Sequence, residues 1–168
     1  AQSEIPKKAR VAMLTALRKI EIKEFDIPEI TDDEMLVKVE GGGICGTDVN
    51  EYKNDPFGLI PVVLGHEGSG VIVKMGKNIT MDTTGKPLTV GDRIVTCTIP
   101  CGHCDACLNM RDRDNLCENS GIYGLMPEDD HYHFNGWFSD YLVIRKGSTF
   151  FKVNDMSLKL RLLIEPAA

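Results

Sequence analysis

Cys101-Gly-His-Cys104-Asp-Ala-Cys107, closed by Cys117, places four of the six cysteines of this 168-residue chain within seventeen residues. Closely spaced thiolates form the soft, tetrahedral cage that a structural zinc ion prefers. Residues 101–135 otherwise show little regular pattern, and a bound metal is a physical reason for so long a loop to be ordered. The spacing therefore predicts a closed zinc site in a lobe at about residues 97–120.

Disulfide bonds are the alternative for these cysteines. Cys-x-x-Cys pairs would close very small loops, and small secreted disulfide domains are usually shorter than this chain. Metal ligation in a reducing cytosol explains the spacing better.

A second constellation lies upstream, with Cys45 in Gly-Ile-Cys-Gly-Thr-Asp and His66-Glu67 between glycines. Considered alone, Cys45 could be a small buried residue and His66 a hydrogen-bonded core histidine, neither of them a metal ligand. Together they offer a thiolate, an imidazole and a carboxylate. A closed metal site beside a second, mixed-ligand site indicates an enzyme.

Composition limits the class of protein. Hydrophobic residues make up 42% and charged residues 26% of the chain, which is ordinary for one soluble globular domain. The net charge of −6 disfavours a nucleic acid as partner, because phosphate binding needs a basic face. No apolar run approaches the roughly 20 residues of a membrane span, and no secretory leader is visible. We therefore expect a cytoplasmic protein without a membrane partner.

Hydrophobic alternation predicts a mainly β fold. Residues 19–23 place Ile20 and Ile22 on one face, and residues 35–40 alternate in the same way, as half-buried antiparallel strands do. Further strands are expected at 62–64, 71–73, 94–95, 137–144 and 150–153, and a helix capped by Ser157 at 157–165. Many short strands with glycine-rich turns predict a small barrel or sandwich. No Gly-x-Gly-x-x-Gly follows a strand, so no dinucleotide-binding unit is expected in these residues.

The motifs at Gly43–Asp48 and Gly65–Gly68, with the cysteine lobe, resemble the catalytic domain of zinc-dependent medium-chain alcohol dehydrogenases. Val90–Ile94 and Gly136–Tyr141 also resemble that family, so the likeness covers essentially the whole chain. It implies a fold similar to GroES, a partly open antiparallel barrel with short helices and a zinc-binding lobe. It also implies a separate Rossmann domain, absent from this chain, that binds NAD or NADP. We accordingly expect a GroES-like domain over residues 1–154, and the start of the connection to the missing domain over 155–168.

The ending Ile164-Glu165-Pro166 is similar to the polyol and threonine dehydrogenase branch, which includes sorbitol dehydrogenases. That resemblance implies a catalytic zinc held by Cys45, His66, Glu67 and Glu165. It also implies a structural zinc held by the four lobe cysteines Cys101, Cys104, Cys107 and Cys117. Two zinc ions per chain are therefore expected.

Two further roles follow from the resemblance. Thr47 matches the hydroxyl that passes on the substrate proton, and Asp48 matches the carboxylate that orients the zinc histidine, here His66. One departure is Asn50, where the family usually has a histidine that ends the proton relay. Asparagine does not titrate near pH 7, so water, Glu51 or the cofactor ribose must take over that step.

The implied activity is oxidation of a small alcohol or polyol, with zinc as Lewis acid and NAD(P)⁺ as hydride acceptor. The fragment is expected to be inactive without the cofactor domain, and the full-length protein is expected to form homo-oligomers. The alternative is a non-catalytic, zinc-stabilised barrel that serves as a binding or assembly module. A weaker alternative is a zinc-free relative of quinone reductases.

Overall fold

The computed structural model describes residues 4–110, 113–127 and 132–168. Its strands are β1 Lys8–Ala16, β2 Lys19–Asp26, β3 Met35–Gly42, β4 Val62–Val63, β5 Gly68–Met75, β6 Arg93–Thr96, β7 Thr98–Ile99, β8 Gly121–Ile122, β9 Tyr141–Ile144 and β10 Phe150–Lys152. Its helices are α1 Gly46–Asn54, α2 Asp105–Asn109, α3 Leu158–Arg161 and α4 Ile164–Ala167, with a 3₁₀ turn at Asp114–Leu116.

The strands form three antiparallel sheets, in the orders β2-β1-β4, β10-β6-β5-β3-β9 and β7-β8. An antiparallel bridge between Val11 and Ser139, and a hydrogen bond from the Ala12 amide to the Phe138 carbonyl (2.8 Å), join the two larger sheets. The predicted mainly β, partly open antiparallel barrel is thereby confirmed. No parallel strand pair, and hence no Rossmann unit, occurs within the described ranges.

The five-stranded sheet is buried on both faces. In β3, Met35 and Val37 belong to one hydrophobic cluster, and Leu36 belongs to another. In β9, Leu142 packs in the first cluster and Val143 in the second. Since successive side chains of a strand point to opposite faces, this sheet separates two hydrophobic cores.

Strand β2 differs from the prediction. Ile20 is 48% exposed and Ile22 is 68% exposed, so the expectation that they form a buried face is wrong. β2 is the edge strand of its sheet and pairs only with β1. An edge strand can follow the period-two pattern without a layer to cover its apolar side.

The C-terminal segment forms two short helices instead of the single helix predicted over 157–165. Ser157 caps α3 as predicted, and its Oγ accepts a hydrogen bond from the Leu160 amide (3.4 Å). The buried Arg161 side chain fastens α3 to the barrel through Glu40 (2.6 Å) and the Ser69 hydroxyl (2.9 Å). The domain boundary at 154/155 stays a prediction. Within the part of the chain that the structure describes, no helix combines the length and apolarity needed to cross a bilayer.

Candidate metal centres

The four lobe cysteines converge on a single point. Their sulfur atoms all lie within 4.8 Å of one another, and the closest contacts are 3.5 Å between Cys104 and Cys107, 3.9 Å between Cys101 and Cys107, and 4.0 Å between Cys104 and Cys117. Helix α2 starts directly after Cys104 and carries Cys107, so local backbone geometry positions two of the four sulfurs.

These distances fit a zinc ion and do not fit disulfides. Four sulfurs about 2.3 Å from a tetrahedral zinc ion are about 3.8 Å apart, whereas a disulfide joins sulfurs at about 2.05 Å. All six cysteines are free thiols. The four sulfurs are therefore close enough together to hold one metal ion, and their role as a structural zinc site stays a prediction.

Backbone amides prepare the cage for thiolates. The Cys101 amide donates to the sulfur of Cys117 (3.2 Å), and this contact lowers the pKa of Cys117. The amides of Cys107 and Glu118 lower the pKa of Cys104 to about 6. The Gly102 amide acts in the same direction on Cys107, but burial and the neighbouring sulfurs raise the pKa of Cys107 to about 12. A thiolate at Cys107 would therefore need a cation between the four sulfurs.

A second group of ligand atoms forms where α1 meets the turn between β4 and β5. The ligand atoms of Cys45, His66 and Glu67 lie within 4.8 Å of one another. Cys45 is the N-cap residue of α1 and is partly exposed, whereas His66 and Glu67 are buried. The structure thus brings together residues that are 21 positions apart in the chain.

Asp48 organises this second group from behind. One carboxylate oxygen accepts a hydrogen bond from the Cys45 amide (2.9 Å), and the other accepts one from the Gly65 amide (3.1 Å). The latter oxygen also lies 3.5 Å from Nδ1 of His66. Asp48 raises the pKa of His66 to about 9, against burial, which acts to lower it. Because Nδ1 faces Asp48, Nε2 remains available as a metal ligand.

Glu67 is held by close packing against a glycine. The Gly43 amide donates to the Glu67 carbonyl (2.6 Å), and the Glu67 side chain lies over the Gly43 Cα. A Cβ at this position would meet the Glu67 carboxylate, and the Glu67 Cβ at 3.1 Å. Only glycine leaves room for this carboxylate beside Cys45 and His66.

The three side chains suit zinc. They offer one sulfur, one imidazole nitrogen and one carboxylate oxygen, the ligand types that zinc accepts. A Cys45 thiolate and a Glu67 carboxylate together balance the charge of the ion. Three protein ligands also leave a coordination position open, which distinguishes catalytic from structural zinc sites.

Two other predicted residues lie beside this group. The Thr47 hydroxyl is 3.7 Å from the sulfur of Cys45, so it is next to the ligand atoms. Asn50 is exposed on α1, and its side-chain oxygen accepts a hydrogen bond from Asn54 (2.8 Å).

Glu165 is not brought into the group. It lies exposed on α4 and is not among the side chains whose ligand atoms meet within 4.8 Å. Its role as a zinc ligand stays a prediction.

Sequence reasoning missed helix α1, which positions the second group. Its N-cap is a cysteine instead of the usual serine, threonine, aspartate or asparagine. Asp48, three residues later, is the acidic residue of a capping box, and this spacing is the signal that could have indicated the start of the helix. Arg18, which lines a cavity beside Asp48 together with Tyr52, was not predicted from the sequence.

Comparisons with known proteins identify the family of the chain. Residues 31–155 match the family described as alcohol dehydrogenase GroES-like domain. Sorbitol dehydrogenase of Bacillus subtilis (strain 168) is 32% identical over 167 residues, which are 96% of this chain and 43% of that protein.

Solved structures show the same fold. The crystal structure of an alcohol dehydrogenase from Thermotoga maritima superposes with a TM-score of 0.82 at 31% identity, over 93% of this chain and 44% of that one. An alcohol dehydrogenase from Escherichia coli CFT073 in complex with NADH has a TM-score of 0.76 at 26% identity, over 96% and 43% of the two chains. This chain therefore spans less than half the length of the proteins it matches.

Proposed function

The chain belongs to the alcohol dehydrogenase GroES-like domain family, and from this premise we propose that it is the catalytic domain of a zinc-dependent oxidoreductase. The proposed reaction is oxidation of an alcohol or polyol by hydride transfer to NAD(P)⁺. The observation that carries the proposal is the meeting of Cys45, His66 and Glu67 within 4.8 Å, with Asp48 behind His66. Relatives that are named as sorbitol and alcohol dehydrogenases support it.

Cys45 and His66 would hold the catalytic zinc with either Glu67 or Glu165 as the third protein ligand, so that one position stays open for substrate. The four lobe cysteines would hold the structural zinc. A zinc ion supplies Lewis acidity that lowers the pKa of a hydroxyl group, and the nicotinamide accepts the hydride. No side chain of the protein can accept a hydride usefully, so the cofactor is an essential part of the proposal.

The chain's own residues would prepare the substrate hydroxyl. Asp48 keeps the His66 ring in one orientation through the Nδ1 contact, as carboxylates behind zinc histidines do. The Thr47 hydroxyl, next to Cys45, would receive the substrate proton at Oγ1 and pass it on. Asn50 cannot titrate near pH 7, so the proton must leave by water, by Glu51 or by the cofactor ribose.

The cofactor-binding residues would lie outside this chain, which spans 43% of its Bacillus relative. The E. coli neighbour in complex with NADH supports a nicotinamide cofactor. We further propose a cytoplasmic, homo-oligomeric full-length protein that acts on small alcohols, without a nucleic-acid or membrane partner. The net charge of −6 agrees with the absence of nucleic acid.

Cobalt substitution tests the proposal. Cobalt in an all-thiolate site and cobalt in a mixed Cys/His/carboxylate site have different absorption spectra. We expect two cobalt ions per chain, and we expect a small alcohol or imidazole to perturb only the mixed site. A single all-sulfur spectrum would instead support the binding or assembly module, and a protein that takes up no metal would support the zinc-free relative. Cys45→Ser should remove the mixed spectrum and leave the other unchanged.

A further inference from the structure

Strand β2 has one long backbone edge without a partner. Among the described strands it pairs only with β1, in a register that runs from Lys19 opposite Ala16 to Asp26 opposite Lys8. The amide and carbonyl groups on its other side face away from the sheet, and no described strand pairs with them. Such an edge is a template on which another strand can pair.

The apolar side chains of this edge strand are exposed. Ile22 is 68% exposed and Ile20 is 48% exposed, although β-branched residues in strands normally pack against a neighbour. Ile20 lines one surface cavity together with Ile44, which is itself 75% exposed. Ile22 lines the neighbouring cavity, and Phe138 is part of the wall of both. A continuous apolar surface beside an open strand edge indicates an interaction site.

The charged residues of β2 determine which strand can pair with this edge. The strand reads Lys-Ile-Glu-Ile-Lys-Glu-Phe-Asp, and charges on an edge repel strands whose own charges do not match them. When two identical strands pair antiparallel about a two-fold axis, one residue lies opposite itself at the axis. The other residues pair at equal distances on either side of it, so each choice of axis fixes every cross-strand pair.

An axis at Ile22 matches the charges of β2 over almost the whole strand. Residues 19–25 of the two copies are then paired, and Glu21 of each copy lies opposite Lys23 of the other. Opposite charges and apolar side chains in directly opposed positions stabilise a strand pair. An axis at Glu21 or at Lys23 would place a like charge opposite itself, which destabilises the pair. An axis nearer either end of the strand would pair fewer residues.

The contact that Glu21 already makes does not prevent this pairing. Lys19 and Glu21 lie 3.2 Å apart along the same strand, and both side chains are largely exposed. Exposed ion pairs contribute little to stability because water screens them. Glu21 is therefore available to a lysine of another chain.

We propose that the β2 edge is an interface between two copies of this chain, which pair their β2 strands antiparallel about a two-fold axis at Ile22. The two sheets would become one continuous sheet, with Ile20 and Ile22 of both copies on the same face. The pairing would satisfy the open backbone groups and cover exposed apolar side chains. The inference goes beyond the proposed function, because neither the metal sites nor hydride transfer enters it.

Sedimentation equilibrium of the chain over a range of concentrations tests the interface. We expect a reversible monomer–dimer equilibrium. Ile22→Lys should raise the dissociation constant tenfold or more, because it places two ammonium groups opposite each other at the axis. Met81→Lys is the matched control and should change it less than twofold, since Met81 is 54% exposed but lies outside the named strands.

A dimer that Ile22→Lys leaves intact would overturn the proposal. A chain that stays monomeric at millimolar concentration would also overturn it, and would leave the surface to another occupant such as the missing cofactor domain.

An exchange of two charges tests the register. Glu21→Lys alone and Lys23→Glu alone each place like charges opposite each other, so each should weaken the dimer at least fivefold. The double variant Glu21→Lys/Lys23→Glu restores opposite-charge pairs in reversed order and should dimerise within twofold of the wild type. Thermal unfolding of each variant confirms that the fold is retained. Single variants that dimerise like the wild type, or a double variant as weak as the singles, would reject the Ile22 axis and with it the proposal.

Amide hydrogen exchange locates the contact. Amides on the open edge of β2 should exchange more slowly when the dimer is populated, and Ile22→Lys should remove this protection. A dimer whose β2 amides gain no protection has its interface elsewhere and would contradict the proposal. Cys45→Ser should dimerise like the wild type, so failure of the proposed function, seen as a missing mixed cobalt spectrum, is distinguishable from failure of this interface.

Discussion

Nδ1 of His66 lies 3.5 Å from a carboxylate oxygen of Asp48, and both side chains are buried. The same carboxylate also accepts hydrogen bonds from the Cys45 and Gly65 amides. One aspartate thereby connects the start of α1 with the turn that carries His66. The orientation of two candidate ligands depends on this one side chain.

Asp48→Asn should weaken metal binding at the mixed site by about 10- to 100-fold, which is the usual effect of losing a partner behind a metal ligand. The amide keeps one acceptor oxygen but loses the charge that faces His66. Competitive titration with a zinc chelator measures the affinity of each site. Asp55→Asn, at the other end of α1, is the control and should leave both affinities unchanged. An unaltered mixed site in Asp48→Asn would show that Asp48 does not position His66.

Gly43→Ala should displace the Glu67 carboxylate, because the added methyl group occupies its position. We expect weaker metal binding at the mixed site and an altered cobalt spectrum there. Gly46→Ala is the matched control, since a Cβ at Gly46 meets no heavy atom within 4 Å and alanine favours a helix. Equal spectra for the two variants would exclude Glu67 as a ligand.

Cys104→Ser should reduce zinc content from two equivalents to one and expose the lobe at residues 97–120 to proteases. The remaining sulfurs would lose the cation that their spacing requires. Cys97→Ser, at an exposed free cysteine, should retain both zinc ions and resist proteolysis. Metal analysis and limited proteolysis compare the two variants. Full zinc content in Cys104→Ser would contradict the four-sulfur site.

Asp92 should stabilise the fold in a pH-dependent way. Burial acts to raise its pKa, but hydrogen bonds from Lys152, Asn154 and the Thr89 amide outweigh burial and lower the pKa to about 2. The folded-state pKa is below the ordinary aspartate value of 3.8. The stabilisation is therefore fully present above about pH 4 and is lost as the pH falls through 2.

Asp92→Asn should accordingly lose about 2 kcal/mol of unfolding free energy at pH 7, and the difference from the wild type should vanish near pH 2. Urea unfolding curves at several pH values measure both proteins, so acid effects common to the two cancel. Asp155→Asn, at an exposed position, should show no such difference. A wild-type advantage that is independent of pH would show that the carboxylate charge is not responsible.

Short-range chemistry made part of this protein predictable from its sequence. The pattern Cys101-x-x-Cys104-x-x-Cys107 predicted the closed cage, because one small helix and its preceding turn are enough to bring these thiols together. The alternation over residues 35–40 predicted β3, but the half-buried strand it indicated is buried on both faces at its start, where Leu36 packs in the second cluster. The same rule failed for Ile20 and Ile22, where the pattern does not reveal whether a layer covers the strand.

By itself the sequence determined the kinds of candidate ligand and the strand-rich class, since both depend on neighbours a few residues apart. The tertiary structure alone decided which distant residues meet. It placed Cys45 against His66 and Glu67, left Glu165 exposed, and joined Arg18 to Tyr52 across 34 positions. The physical reason is that such contacts depend on how sheets and helices pack, and no local pattern of residues encodes that packing.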